Sequence, residues 1–122
     1  MAFGATHYNW RPDVGRLARR WRTIYRVSSN TYFGHGTTTS TGTLPGPRLD
    51  AVSVDFWHRA GRGHPIPYSK GSRIFRRLRV RRGRPYYRYI IWWGRIYYPN
   101  GTDYPYPDQQ DQHHDHVHVT FW

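Results

Sequence analysis

Hydrophobic residues recur at three- and four-residue steps in an early segment of the chain. Val14, Leu17, Trp21 and Ile24 form an apolar stripe, and arginines fill the opposite face. Pro12 stands just before this stripe, at a position where helices favour proline. The spacing predicts an amphipathic helix over residues 13–26.

A second helical pattern lies in the middle of the chain. Ile74 and Leu78 fall on one side of it and arginines on the other. Ser69 or Ser72 is a suitable N-cap, because a serine hydroxyl accepts a hydrogen bond from the first turn. Gly83 is a suitable end, because glycine adopts the left-handed conformation that often terminates a helix.

Alternation of apolar and polar residues predicts strands at two distant places, residues 51–57 and 116–121. The first is expected to be half-buried, with Val52, Val54 and Phe56 on its core side. The aromatic and β-branched segment 86–93 also favours a strand, and after Gly94 the residues 95–98 return or continue it.

The segments between these elements are rich in Ser, Thr, Gly and Pro, which favours loops over residues 28–50, 58–69 and 99–112. The order of elements is helix, strand, helix, strands. This order predicts an α+β fold with a small antiparallel sheet and two or so helices packed on one face. A length of 122 residues fits a single domain, 1–122, with 28–50 as its long loop.

The composition predicts an aromatic core and gives the chain a strong positive charge. Aromatic residues make up 18% of the chain, and the formal net charge is +12. Such a charge attracts polyanions of any kind, nucleic acids and acidic cell envelopes included. The chain has no cysteine, which excludes disulfides and thiol catalysis. No apolar run is long enough to span a membrane, and no signal peptide is visible.

The candidate chemistry lies in a histidine-rich segment, residues 113–118. His116 and His118 are two residues apart, so on a strand their imidazoles share one face. Imidazole is the commonest metal ligand in proteins, and this pair suits zinc. Asp55 occupies the outward register of its own strand. If strands 51–57 and 116–121 share a sheet, Asp55 and His118 project from the same face.

These two segments carry a resemblance to a known family. Val52-Ser53-Val54-Asp55-Phe56-Trp57, paired with the terminal Asp115-His116-Val117-His118-Val119-Thr120-Phe121, resembles the zinc peptidases of the D-alanyl-D-alanine carboxypeptidase type and their hedgehog-type superfamily. The resemblance covers residues 30–122 and is patchy between the two motifs.

The resemblance implies a zinc-dependent peptidase that cleaves an amide bond in a cell-wall peptide. Asp55 and His118 would bind Zn2+, and Asp115 would act as general base. His116 would either support the site from outside the ligand set or stabilise the transition state. The implied substrate is an anionic wall peptide or glycan, and the implied location is the cell envelope or the extracellular space.

One position departs from the family pattern. The family's first histidine ligand falls seven residues before the aspartate, where this chain has Arg48, and arginine cannot bind a cation. His35 in the loop 28–50 is the upstream candidate for the missing ligand, with His58, His64 and His113 as reserves.

Two other functions remain open at this point. The chain is a metal- or wall-binding relative without turnover if no third ligand reaches the site. Alternatively, the arginine-rich stretch 73–88, with Tyr86 and Tyr87, favours a basic module that binds nucleic acid.

Overall fold

The computed structural model describes residues 6–7, 10–32, 38–39, 42–43, 52–61, 63–106 and 113–122. Within these ranges, two helices cover one face of a seven-stranded antiparallel sheet, and β3 pairs with β4 in a separate ladder. The predicted α+β fold is therefore confirmed. The elements, in chain order, are β1 (Thr6–His7), α1 (Pro12–Tyr25), β2 (Ser28–Tyr32), β3 (Thr38–Thr39), β4 (Gly42–Thr43), β5 (Ser53–Trp57), α2 (Tyr68–Val80), β6 (Tyr87–Trp92), β7 (Arg95–Tyr97), β8 (Asp103–Pro105) and β9 (Val117–Phe121).

The strand order of the sheet is β1-β2-β5-β9-β6-β7-β8, so the strand that comes last in sequence lies in the middle. On one side, β9 pairs with β5, and Asp55 stands opposite His118. On its other side, β9 pairs with β6, and Ile91 stands opposite His118. Because side chains alternate along strands, Asp55, His118 and Ile91 form one row across a single face of the sheet.

The opposite face of the sheet carries the hydrophobic core. Val54, Val119 and Ile90 form a row on this face, one residue away from the Asp55 row. Side chains of α1 and α2 pack against it, and each large one contributes about 1.5–3 kcal/mol by leaving water. The helix residues in this core are Val14, Leu17, Ala18, Trp21, Ile74 and Leu78.

The first predicted helix is confirmed with bounds one residue earlier, because Pro12 itself begins it. The second is present, but its predicted ends are wrong. It begins at Tyr68, directly after Pro67, so Ser69 and Ser72 lie inside the helix and cap nothing. It ends at Val80, and Arg81 continues in an extended conformation before Gly83 is reached.

The predicted loop 28–50 is wrong at its start. Residues 28–32 form β2, which pairs with both β1 and β5. Within the rest of this segment, β3 and β4 form a ladder, and residues 33–37, 40–41 and 44–50 lie outside the described part of the chain. The predicted loop 99–112 also contains a strand, β8, which extends the sheet beyond β7.

The two strands that carry the candidate site pair as the sequence predicts, but their surroundings differ from the expectation. All five residues of β5 are buried, so this strand is buried on both faces rather than half-buried. The last strand begins at Val117, and His116 lies in the bend before it. Neither helix within the described ranges has the length and apolar content needed to cross a membrane.

Candidate metal centre

A buried hydrogen bond joins the two predicted ligands at the centre of the sheet. His118 Nδ1 lies 2.7 Å from Asp55 Oδ1, and His118 Nε2 lies 2.9 Å from the hydroxyl of Thr120. An ionised carboxylate only accepts, so His118 donates its Nδ1 proton to Asp55, and its Nε2 accepts from Thr120. Both ring nitrogens of His118 are therefore engaged, and its orientation and tautomer are fixed.

His116 approaches the same carboxylate from the bend before β9. Its Nδ1 donates to Asp115 Oδ1 at 2.7 Å, and its Nε2 lies 3.7 Å from Asp55 Oδ1. The ring stacks on Trp57, with the two ring centres 4.2 Å apart. Because Nδ1 donates to Asp115, it is Nε2 that faces the carboxylate oxygen of Asp55, as an acceptor in the neutral ring and as an N–H donor in the protonated ring.

A third imidazole, that of His113, completes the cluster. Its ring centre lies 4.4 Å from that of His116 and 5.5 Å from that of His118. The backbone of His113 is left-handed, with φ 59°, a conformation that histidine adopts more readily than most residues. Its carbonyl accepts a hydrogen bond of 3.0 Å from the amide of Trp93, which holds this residue against the end of β6.

The electrostatics of the cluster favour a charged carboxylate. Burial alone would raise the pKa of Asp55, because the charged form loses its hydration. Attraction to His116 in its protonated form, the hydrogen bond from His118, and attraction to His118 and His113 in their protonated forms outweigh that effect and hold the pKa of Asp55 below its ordinary value. Asp55 is thus an anion surrounded by imidazoles. All four residues are at most 4% exposed.

The structure brings four of the predicted site residues together: Asp55, Asp115, His116 and His118. His113, one of the reserve candidates, joins them. The other reserves do not. His58 and His64 occupy the loop after β5, where His58 Nδ1 accepts from the amide of Ala60 and their ring centres are 6.3 Å apart.

His35 lies outside the described residues, as does Arg48, so the structure does not place the upstream ligand of the family pattern. Among the alternative ligands, the structure places His113 beside Asp55. This residue comes from a different segment, just before the terminal motif. A donor from residue 113 needs no long loop to reach the site, because only a short bend separates it from β9.

Three further residues support the cluster and were not singled out by the sequence pattern. Thr120 fixes His118, as described above. Trp57 lies beneath His116 and donates its indole N–H to the side-chain oxygen of Asn30, 3.2 Å away. Asn30 was missed because residues 28–32 are polar and resemble a loop. Trp57 lies two residues after Asp55, and Thr120 lies two residues after His118. Alternation along the strands therefore could have placed both on the face of the candidate site.

Carboxylate oxygens and imidazole nitrogens are among the atoms that bind zinc in proteins. Two ligands of a tetrahedral zinc ion, each at about 2.0–2.1 Å, lie about 3.3 Å apart. The distances from Asp55 Oδ1 to His118 Nδ1 and to His116 Nε2, 2.7 and 3.7 Å, fall on either side of that value. In the part of the chain that the structure describes, however, no three such side chains are already arranged around a common point. Binding would require Asp55 and His118 to exchange their hydrogen bond for metal ligation.

Comparison with protein-family models finds no match to this chain, and neither curated proteins nor solved structures provide one.

Proposed function

We propose that this chain is a zinc-dependent hydrolase that cleaves an amide bond in a cell-wall peptide. Asp55 and imidazoles from His113, His116 and His118 would supply the metal ligands. One observation carries the proposal. Nε2 of His116 and Oδ1 of Asp55 lie 3.7 Å apart, in a buried cluster that two further imidazoles adjoin. Imidazole nitrogens and a carboxylate oxygen gathered in one place are the kinds of donor that a zinc site uses.

The contact between Asp115 and His116 supports the same proposal. Histidines that bind metals usually donate their second ring N–H to a carboxylate, which fixes the ring and raises its basicity. Asp115 provides that carboxylate at 2.7 Å. This contact supports a role for His116 as a metal ligand, whereas the resemblance implies a supporting role or a role in stabilising the transition state.

Asp115 also fits the role of general base. Its side chain is 45% exposed, whereas His116 is almost completely buried, so Asp115 connects the cluster with solvent. Zinc, when bound, lowers the pKa of a coordinated water towards about 7 and polarises a carbonyl group. Asp115 would take the proton of the attacking water and deliver it to the leaving amine.

The net charge of +12 supports an anionic substrate. Positive charge on the whole molecule attracts acidic polymers over distances of about 8–10 Å at moderate ionic strength. A cell-wall peptide or glycan with free carboxylates has this character. The attraction would raise the concentration of substrate near the protein without contributing to the chemical step.

One observation favours a second candidate function. The cluster is deeply buried, since the residues Asp55, His113, His116 and His118 are at most 4% exposed. Catalytic zinc sites keep a position open to water or substrate, and structural sites are closed. Burial of this degree favours a relative that binds metal to stabilise its fold and has no turnover.

Metal analysis of the purified chain tests zinc binding, which both candidate functions require. We expect about one zinc ion per chain, and loss of that zinc in Asp55→Asn and His116→Gln. The matched control is His58→Gln, which changes a histidine outside the cluster and should retain zinc. A wild-type chain that binds no zinc after dialysis against the metal contradicts both functions.

The variant Asp115→Asn distinguishes the hydrolase from a metal-binding protein without turnover. Asparagine keeps an oxygen that accepts from His116 but cannot accept a proton from water at neutral pH. The enzyme is expected to keep zinc and lose at least about 100-fold in turnover on cell-wall peptides. Zinc-loaded wild-type chain without turnover on any such peptide contradicts the hydrolase and supports the second candidate.

A further inference from the structure

A wide cleft lies on the other side of the molecule, between α1 and the end of α2. Its volume is about 910 Å³. The core separates it from the Asp55 cluster, because both helices pack on the opposite face of the sheet. We call this feature the arginine cleft, after the six arginines that line it: Arg16, Arg20, Arg77, Arg81, Arg82 and Arg84.

Positive charge in the arginine cleft is almost uncompensated. Asp13 is the acidic residue that lines it, and both of its carboxylate oxygens accept from Arg11, at 2.6 and 3.1 Å. Burial lowers the pKa of Arg81, and the charges of Arg77 and Arg20 lower it further. The cations therefore repel one another within the folded protein, and an anion bound between them relieves that repulsion.

Arg81 and the other arginines have different roles. Arg81 donates to the backbone carbonyls of Gly83, Arg84 and Pro85, so it holds the turn that follows α2. The remaining five are exposed, and within the described residues their side chains make no hydrogen bond or ion pair. Their guanidinium groups are available to a ligand. A planar guanidinium matches the oxygens of a phosphate with two parallel hydrogen bonds.

The arrangement favours several phosphates in a row over a single anion. Arg16 and Arg20 are four residues apart on α1, so they stand one above the other, about 6 Å apart along the helix axis. Across the cleft, Arg77 and the segment 81–84 provide the facing cations. A ligand that contacts Arg16 and Arg20 on α1 and also the facing arginines at the end of α2 must carry repeated negative charges.

Exposed apolar side chains identify the kind of polyanion. Ile24 and Val80 line the cleft and are 56% and 64% exposed, and the half-buried ring of Tyr25 lies beside them. A simple phosphate polymer gains little from such surface, whereas the sugars and bases of a nucleic acid pack on apolar and aromatic groups. A single strand offers both, since its bases are not already paired.

We propose that the arginine cleft binds the backbone of a single-stranded nucleic acid, with Arg16, Arg20 and Arg77 contacting phosphates and Ile24, Tyr25 and Val80 contacting sugars or bases. The site is independent of the proposed metal centre, because the sheet lies between them. Binding without strong sequence preference follows, since phosphate contacts carry no sequence information.

Fluorescence anisotropy with a labelled single-stranded DNA of about 20 nucleotides tests the proposal on the full chain. The test variant is the double substitution Arg16→Gln with Arg20→Gln. The matched control is Arg22→Gln with Arg59→Gln, which removes the same charge from exposed residues of another shallow pocket. Thermal unfolding of both variants checks that they fold.

We expect the test variant to bind at least about tenfold more weakly than the control at about 50 mM salt. The slope of log K against log salt should fall by about 1.4, which is the value for two lost phosphate contacts on a single strand. Asp13→Asn should bind more tightly than wild type, because it removes a negative charge from the cleft. Chelator should leave all of these affinities unchanged.

Three results would overturn the proposal. Equal loss of affinity in test and control variants means that only the total charge matters. A glycerol-phosphate polymer that displaces the DNA equally well, phosphate for phosphate, means that sugars and bases are not recognised. Absence of measurable binding at about 50 mM salt removes the site altogether.

Discussion

The hydroxyl of Thr120 illustrates how one atom fixes the centre of the sheet. It lies 2.9 Å from Nε2 of His118 and 3.3 Å from the hydroxyl of Ser53. Through it, the imidazole that faces Asp55 is held in one tautomer. Removal of this single oxygen leaves a buried nitrogen without its hydrogen-bond donor, and such a loss costs more than the bond itself contributes.

We therefore expect Thr120→Val, which keeps the shape of the side chain, to lower the free energy of unfolding by about 1–3 kcal/mol. Urea denaturation followed by tryptophan fluorescence measures the change. Thr23→Val is the matched control, because the Thr23 hydroxyl is exposed and makes only a 3.5 Å contact with the carbonyl of Arg19. Its effect should stay within about 0.5 kcal/mol. Equal effects at the two positions would show that the Thr120 hydroxyl contributes nothing specific.

At the scale of elements, α2 depends on one close approach to the sheet. A Cβ atom added at Gly71 would lie 2.4 Å from Cη2 of Trp92, which is a buried side chain. The indole of Trp92 also donates to the hydroxyl of Ser72 at 3.3 Å, so the ring cannot move freely. Glycine at position 71 thus allows the first turn of α2 to contact β6.

Gly71→Ala should destabilise the protein by about 1–3 kcal/mol, because the added methyl group must displace a tryptophan ring or the helix itself. Gly15→Ala in α1 provides the contrast. Its Cβ would meet the guanidinium of Arg19 at 3.1 Å, which is the flexible end of a long side chain. Here the higher helix propensity of alanine should stabilise by about 0.5–1 kcal/mol. Thermal or urea unfolding distinguishes them, and equal signs would contradict this account of α2.

The elements that the sequence predicted correctly are those with an apolar face. The apolar period of α1 and the alternation in β5 and β9 both reflect packing against the core, and in α1 this holds for Val14, Leu17 and Trp21. The same period predicted Ile24 on the core side, which is wrong, because that residue is 56% exposed at the end of the helix. The turn at Gly94 was also anticipated, and it joins β6 to β7 with Trp93 and Gly94 at φ 55° and 79°. Such a turn requires two left-handed residues, for which glycine is a strong signal.

The elements that were missed have no such period. Four of the five residues of β2 are small and polar, and the sequence gives this segment no apolar face. It forms a strand because β1 and β5 pair with its backbone. The start of α2 was misjudged because serine is a good N-cap in isolation, while here Pro67 occupies the cap and its carbonyl accepts from the amide of Gly71. Local preference was overridden by contacts that one segment alone does not contain.

The same limit applies to the candidate site. Register along β5 and β9 predicted the approach of Asp55 and His118, since alternation places them on one face. The choice of His113 over His58 and His64 was not predictable, because it depends on a bend before β9 and on a left-handed backbone at residue 113.

At the scale of the whole molecule, charge opposes folding. The chain carries +12, and six arginines line one cleft. Salt screens repulsion between exposed charges, with a Debye length of about 10 Å at 0.1 M. The folded protein should therefore become more stable as salt increases, whereas most surface ion pairs contribute too little to reverse the trend.

We expect the midpoint of thermal unfolding to rise by about 3 °C between about 20 and 300 mM sodium chloride. The double variant Arg20→Gln with Arg77→Gln should show a smaller rise, because these are the charges that act on Arg81. Arg22→Gln with Arg59→Gln removes equal charge outside the arginine cleft and should retain more of the salt effect. Identical salt dependence in the two double variants would contradict a local concentration of repulsion in the cleft.

The central position of β9 has a consequence for synthesis. The strands β1, β2 and β5 form one half of the sheet and β6, β7 and β8 the other, and among the described strands β9 alone hydrogen-bonds to both. A nascent chain leaving the ribosome therefore exposes the unpaired backbone edges of β5 and β6 until residues 117–121 emerge between them. During that interval the half-made sheet is open to pairing with other chains, and the strand that ends the interval is the same one that brings His118 to Asp55.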